Sequence, residues 1–131
     1  MARTSVVMIG LDPDLIDFAS PAYAAFPGMS ADKVRTGLRA DQARLEALGY
    51  EAAICLVDFG ETAEAVVRDR LAGTPFDCVM IGAGVRLVPE NTPLFEKLVN
   101  IVHAHAPRAR LCFNTRPTGT AEAVQRWFPA P

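Results

Sequence analysis

Polar and charged side chains gather directly after short apolar runs in this sequence. Asp12 and Asp14 follow the first run, where two carboxylates could serve as a general acid and base. Arg86 and Arg116 follow the third and fourth runs, and a guanidinium group is suited to forked contacts with carboxylate or phosphate. Asn114 adds an amide beside Arg116. These residue types predict acid–base chemistry by carboxylates or the binding of an anion.

The apolar runs have the length and composition of buried β-strands. They are TSVVMIG (4–10), EAAICLVD (51–58), FDCVMIG (76–82) and RARLCFN (108–114). They lack strict alternation, which is typical of parallel strands covered on both faces. Helical patterns follow the runs, beginning near Ser30, Glu61, Thr92 and Thr120. Ser30 is a predicted N-cap of the first helix and Gly49 its predicted stop.

The order βαβαβαβα predicts a single α/β domain over residues 1–131. Right-handed crossovers give a small doubly wound parallel sheet of four strands with helices on both faces. By analogy, the strand order is 2-1-3-4, and the topology resembles flavodoxin-like, Rossmann-like and receiver-like domains. The chain lacks the functional residues of the receivers, because Gly82 stands where their phosphoacceptor aspartate would be.

Gly10 and Gly82 end the first and third strands, which are neighbours in this order. They meet at the topological switch point, where open α/β sheets bind ligands. Glycines at this point leave room for a ligand, or they serve tight turns of the backbone. Both interpretations stay open at this stage.

Known cofactor fingerprints do not occur in the sequence. The turn after the first strand reads GLDPDL instead of GxGxxG, and the later GAG at 82–84 is only a GxG. There is no GxxxxGK[ST] motif, so any cofactor is unknown. Asp12, Asp14 and Asp17 have a spacing that could hold a hard cation, but Asp-Pro-Asp also forms an ordinary turn. We therefore expect no metal site.

Charge and hydropathy exclude other classes of partner. The net charge is −2 and the arginines are scattered, so no nucleic-acid partner is expected. No stretch reaches the ~20 apolar residues of a membrane span. The cysteines lie in apolar runs without zinc spacing and are interpreted as small buried hydrophobes. A cytoplasmic protein is the resulting expectation.

The predicted ligand-binding set lies in the loops at the carboxyl ends of the strands. It comprises Gly10, Asp12, Gly82, Gly84, Arg86, Asn114 and Arg116. These residues predict the binding of a small anionic metabolite, supported by the free N–H groups of the helix N-termini on that side. Alternatively, Arg86 pairs with Glu90 and Arg116 is a solvated loop charge. Catalysis is left open, with Asp12 and Asp14 as the candidate acid and base.

Residues 11–29 form an unusually long loop after the first strand. Loops beyond ~12–15 residues are usually functional or disordered, and the apolar residues of this one favour order. We predict an ordered flap that covers a ligand crevice or supplies a dimer contact. The second option leads to the alternative function, a non-catalytic homodimeric interaction or regulatory module with a receiver-like shape.

Overall fold

The computed structural model of the chain describes residues 3–130. Its sheet has four strands, β1 (Ser5–Leu11), β2 (Glu51–Val57), β3 (Cys78–Ile81) and β4 (Arg110–Phe113). The strand order is β2-β1-β3-β4, and each neighbouring pair is parallel. The predicted fold class and strand order are confirmed.

Helices connect the strands in the predicted alternation. They are α1 (Ala31–Ala47), α2 (Ala63–Gly73), α3 (Ala83–Arg86), α4 (Thr92–His105) and α5 (Thr120–Gln125). Ser30 caps α1, because its hydroxyl accepts a hydrogen bond from the Lys33 N–H at 3.2 Å. Gly49 follows the end of α1 with a φ of 99°, a conformation that favours glycine. No helix within residues 3–130 combines the length and apolar character needed to cross a membrane.

Each face of the sheet has its own hydrophobic core. Successive strand residues point to opposite faces, so Val7 contributes to one core and Val6 and Met8 to the other. Helices α2 and α4 cover the first face. Leu45 of α1 and Val124 of α5 are buried in the second core. Members of both cores line the cavity described below, Ile9 and Val85 from the first and Met8 and Met80 from the second.

Side chains from the helices cover backbone carbonyls on both outer strands. On β2, Gln42 of α1 donates to the Ala52 carbonyl at 2.8 Å. Arg70 of α2 donates to the Ile54 carbonyl at 2.5 Å. On β4, Arg126 donates to the last carbonyl of the strand at 2.6 Å. Covered edges are a recognised protection against pairing with another sheet.

The loop of residues 11–29, which we call the flap, begins at Leu11, the last residue of β1, and leaves the sheet there. The flap contains two short 3₁₀ turns, capped by the side chains of Asp12 and Ser20. One end is held by the Asp12 N–H, which donates to the Val57 carbonyl at 2.8 Å. Near the other end, the Lys33 ammonium donates to the Gly28 carbonyl at 2.7 Å. The flap therefore has an ordered path anchored to β2 and to α1.

Candidate functional site

A cavity of about 160 Å³ lies at the carboxyl ends of β1 and β3. Its floor is the end of these two strands, including Met8 and Met80, and its wall is one side of α1. The flap supplies the cover, and Asn114, Pro117 and Thr120 line the side next to β4 and α5. This position is the topological switch point of the sheet.

The aromatic residues of the flap face the cavity. Phe18, Tyr23 and Phe26 all line it, and the rings of Phe18 and Tyr23 lie 5.9 Å apart between centroids. Tyr23 is only 9% exposed, and its hydroxyl has no hydrogen-bond partner among the described residues. Buried hydroxyls usually have a partner, so this one is an exception among the residues of the lining.

Glycines form an unusual share of the cavity lining, at positions 10, 37, 82 and 84. None of the four has a positive φ, so the backbone does not require glycine there. A Cβ atom added at Gly10, Gly37 or Gly84 would meet no atom within 4 Å. At Gly82 it would meet the Ile9 carbonyl at 3.5 Å, an ordinary contact. The backbone angles of Gly10 and Gly82 therefore give no support to the tight-turn interpretation, whereas Gly37 and Gly84 are exposed and border solvent as well as the cavity.

A chain of hydrogen bonds ends at the one carboxylate that lines the cavity. The guanidinium of Arg86 donates to the Asn114 Oδ1 at 2.7 Å, and the Asn114 amide makes a long contact of 3.5 Å to the Thr120 hydroxyl. Thr120 then donates to the Asp41 Oδ2 at 3.1 Å. Burial raises the pKa of the Asp41 carboxyl, and the hydrogen bond from Thr120 acts in the opposite direction.

Arg86 itself lies behind the cavity wall and binds the protein's own backbone. Its Nε donates to the Ile81 carbonyl at 3.0 Å, and an Nη2 hydrogen bond reaches the backbone carbonyl of Asn114. The guanidinium also lies over the Phe113 ring, 5.4 Å from its centroid. Burial lowers the pKa of Arg86. It forms no salt bridge with Glu90 in the described chain, so it makes neither of the contacts expected from the sequence.

Arg116 is an exposed loop residue outside the cavity lining. Its Nε donates to the Thr118 hydroxyl at 3.1 Å. This local contact corresponds to the solvated alternative, and the two arginines do not converge on one ligand.

Asp12 and Asp14 hold the flap and do not line the cavity. Asp12 accepts a hydrogen bond from the Asp14 N–H at 3.0 Å, which is the turn expected for Asp-Pro-Asp. Arg35 of α1 forms salt bridges with both carboxylates, the longer one to Asp12 at 3.9 Å. Over residues 3–130, no group of three or more His, Cys, Asp or Glu side chains could hold a metal ion.

The N-terminus of α2 is already occupied by a carboxylate of the protein. Asp58 accepts hydrogen bonds from the N–H groups of Gly60, Thr62 and Ala63 at 3.0–3.1 Å and from the Thr62 hydroxyl at 2.6 Å. These bonds, that from the Thr62 side chain foremost, lower the pKa of Asp58. The free N–H groups expected at this helix for an external anion are therefore used internally.

The structure brings together four of the seven predicted ligand-binding residues. Gly10, Gly82, Gly84 and Asn114 line the cavity, whereas Asp12, Arg86 and Arg116 do not. Sequence reasoning assigned no ligand role to three other lining residues, Gly37, Asp41 and Tyr23.

A signal for Asp41 was present in the sequence. It occupies a gap in the apolar stripe of α1 that Val34, Leu38 and Leu45 define. A carboxylate on the buried side of a helix needs a polar partner, and both a polar partner and a cavity are found there.

No protein-family model matches the chain, and no curated protein matches it significantly. The candidate site must therefore be interpreted from its own geometry.

Proposed function

We propose that this protein binds a small, mainly apolar molecule in the cavity between β1, β3 and the flap. The observation that carries the proposal is the set of four lining glycines that the backbone geometry does not require. A Cβ atom at three of them would meet no atom within 4 Å, so glycine stands there without a steric reason and at a small cost in stability.

The chemistry of the lining supports an apolar ligand. Methionine, phenylalanine and other apolar side chains form most of the cavity wall. Ligand pockets are usually apolar with a few placed polar groups, here Asp41, Asn114 and Thr120. The anionic metabolite expected from the sequence has less support, because Arg86 and Arg116 do not line the cavity.

The size of the cavity limits the ligand to a small fragment. A cavity of about 150 Å³ accommodates a molecule such as benzene. The 160 Å³ found here therefore suits a single ring or a branched alkyl group. The proposal concerns binding and includes no catalytic step.

Toluene is a suitable first probe, in an NMR titration of the ¹⁵N-labelled protein. We expect saturable shifts of Met8, Tyr23 and Met80, with a dissociation constant of about 0.1–1 mM, or roughly −4 to −5.5 kcal/mol. Gly37→Leu should abolish these shifts by filling the cavity. Gly73→Leu makes the same change at the exposed end of α2, outside the cavity lining, and should preserve them. Absence of saturable shifts in the wild type, or equal binding by Gly37→Leu, would refute the proposal.

The alternative, a homodimeric interaction module, stays a prediction with fewer observations behind it. Tyr23 is buried and Phe26 is half-buried over the cavity, so these aromatics are turned toward their own chain. Both outer strands carry covered carbonyls, which disfavours pairing of sheets edge to edge. The favourable observation is the exposure of Leu15 on the flap and of Leu87 after α3. Sedimentation equilibrium at micromolar concentration tests it.

A further inference from the structure

Among the described residues, one carboxylate lines the cavity, that of Asp41, and the nearby Arg44 favours its charged form without forming a salt bridge with it. Asp41 lines the cavity and is half-buried, yet it forms no salt bridge with any described lysine or arginine. Arg44, one turn further along α1, pairs instead with Glu122 at 2.9 Å. A half-buried carboxylate in apolar surroundings is costly unless a partner compensates it.

The cation that lines the cavity, Lys33, is far from Asp41. Lys33 lies eight residues earlier on α1, which corresponds to about 12 Å along the helix axis. Its ammonium is bound to the Gly28 carbonyl of the flap at 2.7 Å. The two ends of the cavity therefore differ in charge, with the carboxylate at the end beside Thr120.

The hydrogen-bond chain from Arg86 has a single direction. Each member donates to the next, from the guanidinium through Asn114 and Thr120 to Asp41 Oδ2. An ionised carboxylate only accepts hydrogen bonds, so this arrangement suits the charged form of Asp41. No hydrogen bond to Asp41 Oδ1 occurs within the described residues, which leaves this oxygen as an acceptor.

Tyr23 lines the same cavity, but its hydroxyl, which has no partner in residues 3–130, is fully buried and not open to a ligand atom. The polar contact of a ligand is therefore assigned to Asp41 alone.

We infer that the ligand is a small primary amine with an apolar group, bound as its cation with the ammonium at Asp41. The apolar group occupies the space between Met8, Met80 and the flap aromatics. This inference rests on the proposed binding function and adds to it the chemical class of the ligand. An ammonium supplies three donors, which matches an acceptor-only carboxylate better than a single hydroxyl does.

Three ligands of nearly equal shape test the inference, namely toluene, benzyl alcohol and benzylamine. Their dissociation constants are measured by NMR titration at pH 7 with the wild type, Asp41→Asn and Asp32→Asn. We expect benzylamine to bind about 10-fold more tightly than toluene or benzyl alcohol, as a charge-assisted hydrogen bond allows. Asp41→Asn should remove this advantage, so that the three ligands bind with similar affinities. Asp32→Asn removes an exposed carboxylate of the same helix and should leave all three affinities unchanged.

The outcomes separate this inference from the proposed function. If toluene binds and benzylamine binds no more tightly, the inference is overturned and the proposed function is retained. The same holds if benzyl alcohol gains as much affinity over toluene as benzylamine does. Failure of all three ligands to bind overturns both.

If Asp41→Asn does not fold, the wild type still decides the question. Intermolecular NOEs from the benzylamine methylene group should reach the Thr120 methyl group. NOEs at the Lys33 end of the cavity instead would overturn the inference.

Discussion

Replacing Gly37 by alanine should stabilise the protein while weakening its site. Gly37 lies inside α1, where glycine costs about 0.8–1 kcal/mol relative to alanine. The added Cβ meets no atom within 4 Å, so no clash offsets this gain. We therefore expect the free energy of unfolding to rise by about 1 kcal/mol, or roughly 3–4 °C in Tm for a chain of this size.

Urea unfolding followed by circular dichroism measures this change, with an unchanged m-value as the sign that both states keep their compactness. Gly73→Ala is the matched control, because Gly73 is the last residue of α2 and does not line the cavity. It should give a smaller gain in stability and no change in toluene affinity. Gly37→Ala should reduce toluene affinity, because Gly37 lines the cavity. A destabilised Gly37→Ala would refute the geometry described for α1, and unchanged toluene binding would place the ligand elsewhere.

Three further predictions concern residues outside the cavity lining. Arg86→Met should lower the free energy of unfolding by about 3 kcal/mol, because it leaves half-buried carbonyl groups without a donor. Arg116→Met should be nearly neutral, and thermal melts of both variants measure the difference. The three cysteines are buried, so we expect none to react with a thiol reagent until urea unfolds the chain; labelling of the native protein would contradict this. Asp58 has a lowered pKa in the folded state, so its contribution to stability is present above the unfolded pKa near 4 and is lost as pH falls through the folded value. The stability difference between wild type and Asp58→Ala should therefore be constant near neutral pH and vanish in acid, whereas a difference that persists in acid would speak against the cap.

The elements of this fold could be predicted because they depend on local signals. The apolar runs gave the strands, and caps such as Ser30 and stops such as Gly49 gave the helix boundaries. Strand order followed from the general behaviour of crossovers. The short helix α3 escaped prediction, since four residues contain little more than one helical period and show no repeat.

The candidate site was predicted in its place and only partly in its residues. The positions of Gly10 and Gly82 could be predicted, because the apolar runs locate the carboxyl ends of β1 and β3 to within a residue. Arg86 could not be assigned, because whether its guanidinium reaches a ligand or a backbone carbonyl depends on the local path of the loops. Which side of the flap faces inward likewise depends on how Tyr23 lies relative to distant strands, and no local sequence pattern contains this information.

The covered sheet edges constrain how a ligand can reach the cavity. Gln42 belongs to α1 and Arg126 directly follows α5, the two helices that flank the cavity. Moving either helix aside to admit a molecule would also uncover a strand edge and invite aggregation. The flap side chains form no hydrogen bond with an outer strand among the described residues, although Ile16 and Tyr23 in its middle pack against the rest of the chain. We therefore expect the proposed ligand to enter through the flap, a route that would leave both edges of the sheet covered.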